Sequence, residues 1–333
     1  MTGGSSLPPN PWKRIDVSEW AVGDVEASGT HGGVWLHEPT TGARWFHKNT
    51  LIPENGIEQG EDWAEFVVAQ VGQRLGVPCA EVRMCYRNGR RGSLSRSIVP
   101  EAGTHGLIDG LVALVDSKAD GYFPHQEGKP GKDPKRPGVN RPGHTLSNIE
   151  AALTPTLPPP GFVGPATCTA FDVFTGYLIL DALVANRDRH EENWGVLRGQ
   201  LRSIRDRLAP SFDHASSLGY NRTDSHRGAM LEKRDGLTRF AEKGTAWRFE
   251  NSGSPEDLVT FALGAYARCT PTAQVWWLRR LEWLSLQPLV NRISREDTQM
   301  SDLAVRFVAA LLETNLGRLK DAVRAHRLAT SRS

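Results

Sequence analysis

The chain has 333 residues, 39% of them hydrophobic, enough for one large two-lobed domain or two medium ones with a sizeable buried core. Lys and Arg total 40 against 38 Asp and Glu, a formal charge of +2, so no global basic field argues for nucleic acid or membrane as the main partner. Four cysteines, Cys79, Cys85, Cys168 and Cys269, form neither a C-x-x-C pair nor a dense disulfide framework, and no stretch reaches the roughly 18 to 20 apolar residues of a membrane span. A cytoplasmic protein with free thiols is expected.

Residues 1–11 are rich in Gly, Ser and Pro and lack the order of a secretory signal, which predicts a disordered N-terminus. Residues 12–105 mix strand-like runs with one helix. Residues 33–38 and 43–48 predict a hairpin about the turn 39–42, and residues 62–75 carry apolar positions at helical spacing up to Gly76, a C-cap by its tolerance of left-handed backbone. Residues 77–86 and 93–99 predict a second hairpin about Asn88-Gly89. The stretch 117–165 is crowded with Pro, Gly and Lys and reads as a mobile loop interrupted by a short helix at 146–153. Its basic residues are expected to be solvated. Helical periodicity then dominates over 171–184, 255–267, 272–286 and 301–325. A β-rich small lobe (12–105) before a larger, mostly helical lobe (106–328), with a short tail at 329–333, is an α+β, two-lobed outline of a protein-kinase-like fold.

The polar residues that could carry chemistry concentrate after the helix 171–184. Asp188 is followed five residues later by Asn193, the spacing of a kinase catalytic loop in which the Asp accepts the acceptor hydroxyl's proton and the Asn holds Mg²⁺. Asp181 and Asn186 satisfy the same spacing, so context must choose between them. A second acid supplies it: Asp213 follows a run hairpin-linked to the segment after Asn193, which would bring Asp188, Asn193 and Asp213 to one edge. An Asn and an Asp, with nucleotide phosphates, form a sufficient oxygen set for Mg²⁺. Upstream, the Gly-rich turn with Gly29, Thr30, Gly32 and Gly33 lets backbone N–H groups approach phosphate. Lys48 ends the next strand, from which it could reach the α- and β-phosphates, and Glu65 on the following helix could pair with it. His190 and His214 flank the acids without a Ser or Cys companion for nucleophilic catalysis. Trp276, Trp277 and Trp283 read as core and lobe packing.

These residues, with Leu75-Gly-Val-Pro, Gly92-Ser-Leu-Ser-Arg-Ser, the loop 186–193 and Leu208-Ala-Pro-Ser-Phe-Asp213, resemble the HipA-like serine/threonine kinase family over most of residues 29–319. The loop is more distantly similar to phosphoinositide kinases. The resemblance implies Asp188 as catalytic base with His190 beside it, Asn193 and Asp213 as Mg²⁺ ligands, and Gly29, Thr30, Gly32, Gly33, Lys48 and Glu65 around ATP. It implies a protein substrate; the charge balance and the lack of a membrane-targeting helix lead us to expect neither membrane nor direct nucleic-acid binding. Two departures stand out. His214 replaces the glycine that usually follows the metal-binding Asp, and the extra N-terminal subdomain of toxin-type members is expected to be missing. Ser28 and Thr30 are candidate autophosphorylation positions. The alternatives are a lipid or small-molecule kinase, a nucleotide-binding pseudokinase, and nucleotidyl transfer.

Overall fold

The computed structural model describes residues 10–25, 32–125, 129, 131–294, 296 and 298–330. Alternation of apolar and polar side chains in the first hundred residues produces a six-stranded sheet. Its strands are β1 (Ile15–Asp16), β2 (Ala21–Val25), β3 (Val34–His37), β4 (Arg44–Asn49), β5 (Val82–Arg87) and β6 (Arg90–Arg96), in the order β1-β5-β6-β4-β3-β2. Within this sheet, among the described residues, only the β1–β5 pairing is parallel. The expected hairpins β3–β4 and β5–β6 form, the latter about Asn88 and Gly89, both with positive φ, as a two-residue turn of the right twist requires. One sheet face closes over Ile15, Val17, Trp20, Leu36, Trp45, Cys85 and Leu94. The other receives helix α1 (Glu61–Leu75), whose Phe66, Val67 and Val71 are fully buried. Gly76 ends α1 at φ 88°, and the Arg280 Nε–H donates to the Leu75 carbonyl at 2.8 Å. That bond ties α1 to the helical lobe.

The large lobe is built round α4 (Ala170–Val184), every residue of which is buried. Its start is fixed by a capping box between Thr169 and Asp172. Asp172 also accepts bonds from the Thr270 backbone and hydroxyl, both at 2.9 Å, so one carboxylate anchors two helices. Around α4 stand α2 (Gly110–Asp116), α3 (Leu146–Leu153), α5 (Asp224–Glu232), α6 (Gly236–Glu242), α7 (Leu258–Arg268), α8 (Pro271–Trp283), α9 (Gln287–Ile293) and α10 (Asp302–Thr330). A small antiparallel sheet of β7 (His105–Asp109), β8 (Gly195–Gly199) and β9 (Arg207–Leu208) closes the lobe towards the cleft. Among the described residues no helix is long and apolar enough to cross a membrane. All four cysteines are free, and burial pushes the Cys79 thiol up to about 12, which removes it as a nucleophile at neutral pH.

Two expectations change. Trp277 packs in the core, its indole N–H donating to the Asp172 carbonyl at 2.8 Å, but Trp283 is 75% exposed. The described part of 117–165 is held by specific contacts that its composition does not reveal. His144 is fully buried and stacks on Phe249 at 4.5 Å, and Arg136 bridges Asp133 and Glu250.

Candidate functional site

Helix α4 stops at Ala185, which takes the left-handed conformation (φ 54°), and the chain turns into the polar loop 186–193. A buried ion pair shapes that loop. Arg189 from the loop and Asp181 from the last turn of α4 are each 2% exposed and meet through two bonds of 2.8 and 2.7 Å. The Asn186 amide donates to the same carboxylate at 2.7 Å. Asp181 and Asn186, the competing match to the catalytic spacing, are thus wholly engaged in the interior.

The spare nitrogen of Arg189 donates to the Asn193 carbonyl at 2.6 Å and, at 3.5 Å, to that of Phe212. One guanidinium therefore fixes the backbone of both segments that carry the sequence-predicted metal ligands. Tyr177 adds a second tie, its buried hydroxyl donating to the Ala209 carbonyl at 2.9 Å. β8 leaves the loop and β9 returns to Asp213, with Val196 opposite Leu208. Asp213 itself has φ 56°, a conformation unfavourable for most side chains and therefore held by its surroundings.

Asp188, by contrast, faces the cleft with its carboxylate 28% exposed. Its backbone N–H donates to Asn186, and the Asn193 side-chain N–H donates to the Asp188 carbonyl at 2.7 Å. With its nitrogen so used, Asn193 has its Oδ1 as the end that can bind a cation. From the small lobe, the Lys48 ammonium meets Asp213 Oδ2 at 3.0 Å, both side chains about one-third exposed (37% and 33%). Burial raises the Asp213 carboxyl, but the Lys48 charge and hydrogen bond outweigh it and hold the group below the usual carboxylate range. Two oxygen ligands, one firmly ionised, suit Mg²⁺. Among the described residues no three His, Cys, Asp or Glu side chains cluster as a metal site, so a cation here would complete its shell from water and a bound phosphate. His190 lies beside Asp188 and Asp213, and burial pushes its imidazole down to about 4. It is neutral at physiological pH, and its Nδ1 accepts the Glu192 backbone N–H at 3.3 Å.

Glu65 is where the structure departs from the expected pairing. Its carboxylate accepts the His214 backbone N–H at 2.5 Å and faces the His214 ring at 3.3 Å. The opposite ring nitrogen lies 2.7 Å from the Ser211 hydroxyl. His214 thus does have a serine companion, against the sequence expectation. Ser211 and His214 are 1% exposed and Glu65 4%, so the chain is closed to any substrate; it joins α1 to the segment bearing Asp213. Gly29, Thr30 and Ser28 lie outside the described residues. Gly32 has φ 50°, and a Cβ on Gly33 would stand 2.0 Å from the Phe46 ring, so Gly33 makes room for the strand face that also carries Lys48. Gly92 does likewise, since its Cβ would meet the Lys48 carbonyl at 2.5 Å.

One residue went unnoticed in the sequence. Arg248 sends both Nε–H and a terminal N–H to Asp188 Oδ1, each at 2.6 Å. Sixty positions separate the pair, and no local spacing signals it. A cavity of about 320 Å³ lined by Trp63, Arg91, Tyr220 and Arg227 opens elsewhere, beside the start of α1, and includes none of the predicted site residues.

No protein-family model matches the sequence, and no curated protein matches it by sequence. Among solved structures, the Helicobacter pylori proinflammatory kinase CtkA superposes with a TM-score of 0.70 at 16% identity, over 94% of this chain and 98% of that one. HipA of Shewanella oneidensis MR-1, solved with HipB and operator DNA, gives a TM-score of 0.40 at 14% identity over 95% and 67% of the two chains. The match to CtkA spans both lobes, and the chain therefore has a two-lobed kinase fold.

Proposed function

We propose that this protein transfers the γ-phosphoryl group of ATP to a Ser or Thr hydroxyl of a protein. The observation that carries the reading is the convergence of Asp188, Asn193 and Asp213, locked to one another through Arg189, opposite Lys48 of the small lobe. Asn193 and Asp213 would hold Mg²⁺, which when bound neutralises phosphate charge. Lys48, now on Asp213, is placed to turn to the phosphates of a bound nucleotide. Asp188 accepts the proton of the acceptor hydroxyl as its oxygen bonds to the γ-phosphorus and the bond to the β-phosphate oxygen breaks, releasing ADP. Because such a transition state demands little covalent help, positioning and charge placement suffice.

The test is intact-mass analysis after incubation with ATP and Mg²⁺, joined to measurement of ATP turnover, for wild type beside Asp188→Asn and Asp213→Asn. Phosphate added to the wild-type chain or to an acceptor, and to neither variant's, supports the assignment. Nucleotide binding without turnover in any form would convert the reading to a nucleotide-binding module. An adduct with the mass of a nucleotide would convert it to nucleotidyl transfer.

A further inference from the structure

Arg248 occupies the carboxylate that phosphotransfer needs. Both of its bonds fall on Asp188 Oδ1, while Oδ2 meets only the Ser216 hydroxyl at 3.4 Å among the described contacts. The guanidinium sits on the oxygen that an acceptor hydroxyl would approach. The pair is nevertheless open to solvent, Arg248 being 22% and Asp188 28% exposed, so a second carboxylate can reach the guanidinium and compete for it.

The mount that presents Arg248 is rigid. Ala246 and Phe249 on either side are buried, Phe249 stacks on His144, and the His144 ring donates to the Arg248 carbonyl at 2.8 Å. Trp247, 38% exposed, is flanked by the guanidinium groups of Arg248 at 4.0 Å and Arg141 at 5.8 Å. The same mount is laced to the basic stretch, through Arg136 with Glu250, Gly143 with Glu250, and Asn140 with Asn251. Lys132 and Lys135 of that stretch are exposed. Of the acids near the pair, Glu191 is buried facing His125 and Arg141, Glu250 is spent on Arg136 and Gly143, and Glu192 stands exposed beside Arg141 and Arg248. What approaches Asp188 from solvent meets the Arg248 guanidinium and the Trp247 face, with Glu192 beside them to reject an acid that is not held by Arg248.

Resting on the phosphotransfer reading, we infer that Arg248 is a specificity-determining residue that selects acceptors with a carboxylate beside the hydroxyl. The acceptor's Asp or Glu draws Arg248 off Asp188, and Asp188 is freed as the base at the moment the hydroxyl arrives. The exposed face of Trp247 lies beside the Arg248 guanidinium that the acidic residue would meet. Only a correct acceptor then produces an active base.

The experiment uses the full chain and fluorescent Ser peptides that differ only in Asp or Asn next to the serine, measured both for binding and for phosphorylation. Wild type is expected to bind and phosphorylate the Asp peptide at least about tenfold better, the scale of one charge-assisted hydrogen bond. Arg248→Gln should erase that preference in both readouts while keeping the wild-type melting temperature to within a few degrees. Arg248→Lys should restore part of it, since it keeps the charge and loses the fork. Equal treatment of the two peptides by wild type, or an Asp preference kept by Arg248→Gln, overturns the inference. So does an equal fall on both peptides with weakened ATP binding, which would place Arg248 on the nucleotide instead. Preference in binding with no phosphorylation of either peptide would sink the phosphotransfer reading and leave acidic selection standing. Phosphorylation without preference would do the reverse.

Discussion

Residues 181–186 and 188–193 carry the same Asp-x-x-x-x-Asn spacing, one directly after the other along the chain, and the fold gives them opposite environments. Asp181 belongs to a helix with no exposed face, so its charge is admissible only with a complete set of partners, which Arg189 and Asn186 supply. Asp188 lies past the left-handed residue that ends the helix, where the chain points into the cleft. Its carboxylate keeps contact with solvent and a partner it can exchange. The lesson is that spacing nominates a carboxylate, while burial and completeness of partners decide whether it builds or reacts. The two are also dependent, because the Asp181–Arg189 pair is what fixes the loop holding Asp188 and Asn193.

The largest expected effect breaks the comparison at its reactive end. Asp188→Asn should lower phosphotransfer by about 10²–10⁴-fold, the usual worth of a general base, with nucleotide affinity nearly unchanged and stability altered by no more than about 1 kcal/mol. Turnover measured beside an equilibrium urea titration checks both halves. Asp181→Asn should behave in the opposite order. It strands the Arg189 guanidinium in the interior, at a cost of about 3–5 kcal/mol, and the urea midpoint should fall before any effect on activity can be separated from it. Were Asp181→Asn stable and inactive, the roles assigned to the two acids would have to be exchanged.

Much of this arrangement is legible in the sequence, and the divide follows the range of the interaction. The helix ending at Gly76, the hairpin turn at Asn88-Gly89 and the helix 146–153 rest on local backbone preferences and periodicity, and the structure places them within a residue or two. The strand pair β8–β9 that returns the chain to Asp213 is equally local. The place of Glu65 on α1 follows from periodicity, but its partner does not, because the choice between Lys48 and His214 depends on how one lobe sits on the other. Arg248 could not be found at all. It lies in a segment without regular structure, and its nearness to Asp188 comes from His144 and Phe249 stacking across a hundred residues of chain. The lysine-rich composition of 128–143 pointed to solvation and hid the buried His144 a residue beyond.

A smaller effect sharpens the contrast within α1, where Glu61 and Glu65 stand one turn apart. Glu65 takes the backbone N–H and ring of His214, so Glu65→Ala leaves a buried N–H unsatisfied and should cost about 1–3 kcal/mol. It should also lower turnover through the looser hold on the Asp213 segment. Ser211→Ala, at the far end of the same chain, keeps the Glu65 contact and should cost less in both. Equal losses for the two variants would show that the ring, and not the Glu65–backbone bond, transmits the constraint.

Glu61 is the smallest case and the cleanest in sign. Burial is the main influence on it and pushes its carboxyl up from the ordinary 4.5 to about 7, with only partial relief from backbone N–H groups and Arg91. The folded state therefore holds this proton more tightly than the unfolded chain does. The associated stability is fully present below about 4.5 and is lost as pH rises through about 7. Glu61→Gln keeps the shape of the protonated acid and cannot ionise, so its stability relative to wild type should be flat below 4.5 and increase across that window. Urea midpoints of both proteins at several pH values test this. A difference that shrinks with rising pH would mean that Glu61 has found a cationic partner and belongs with Asp181 among the carboxylates the interior has fully paired.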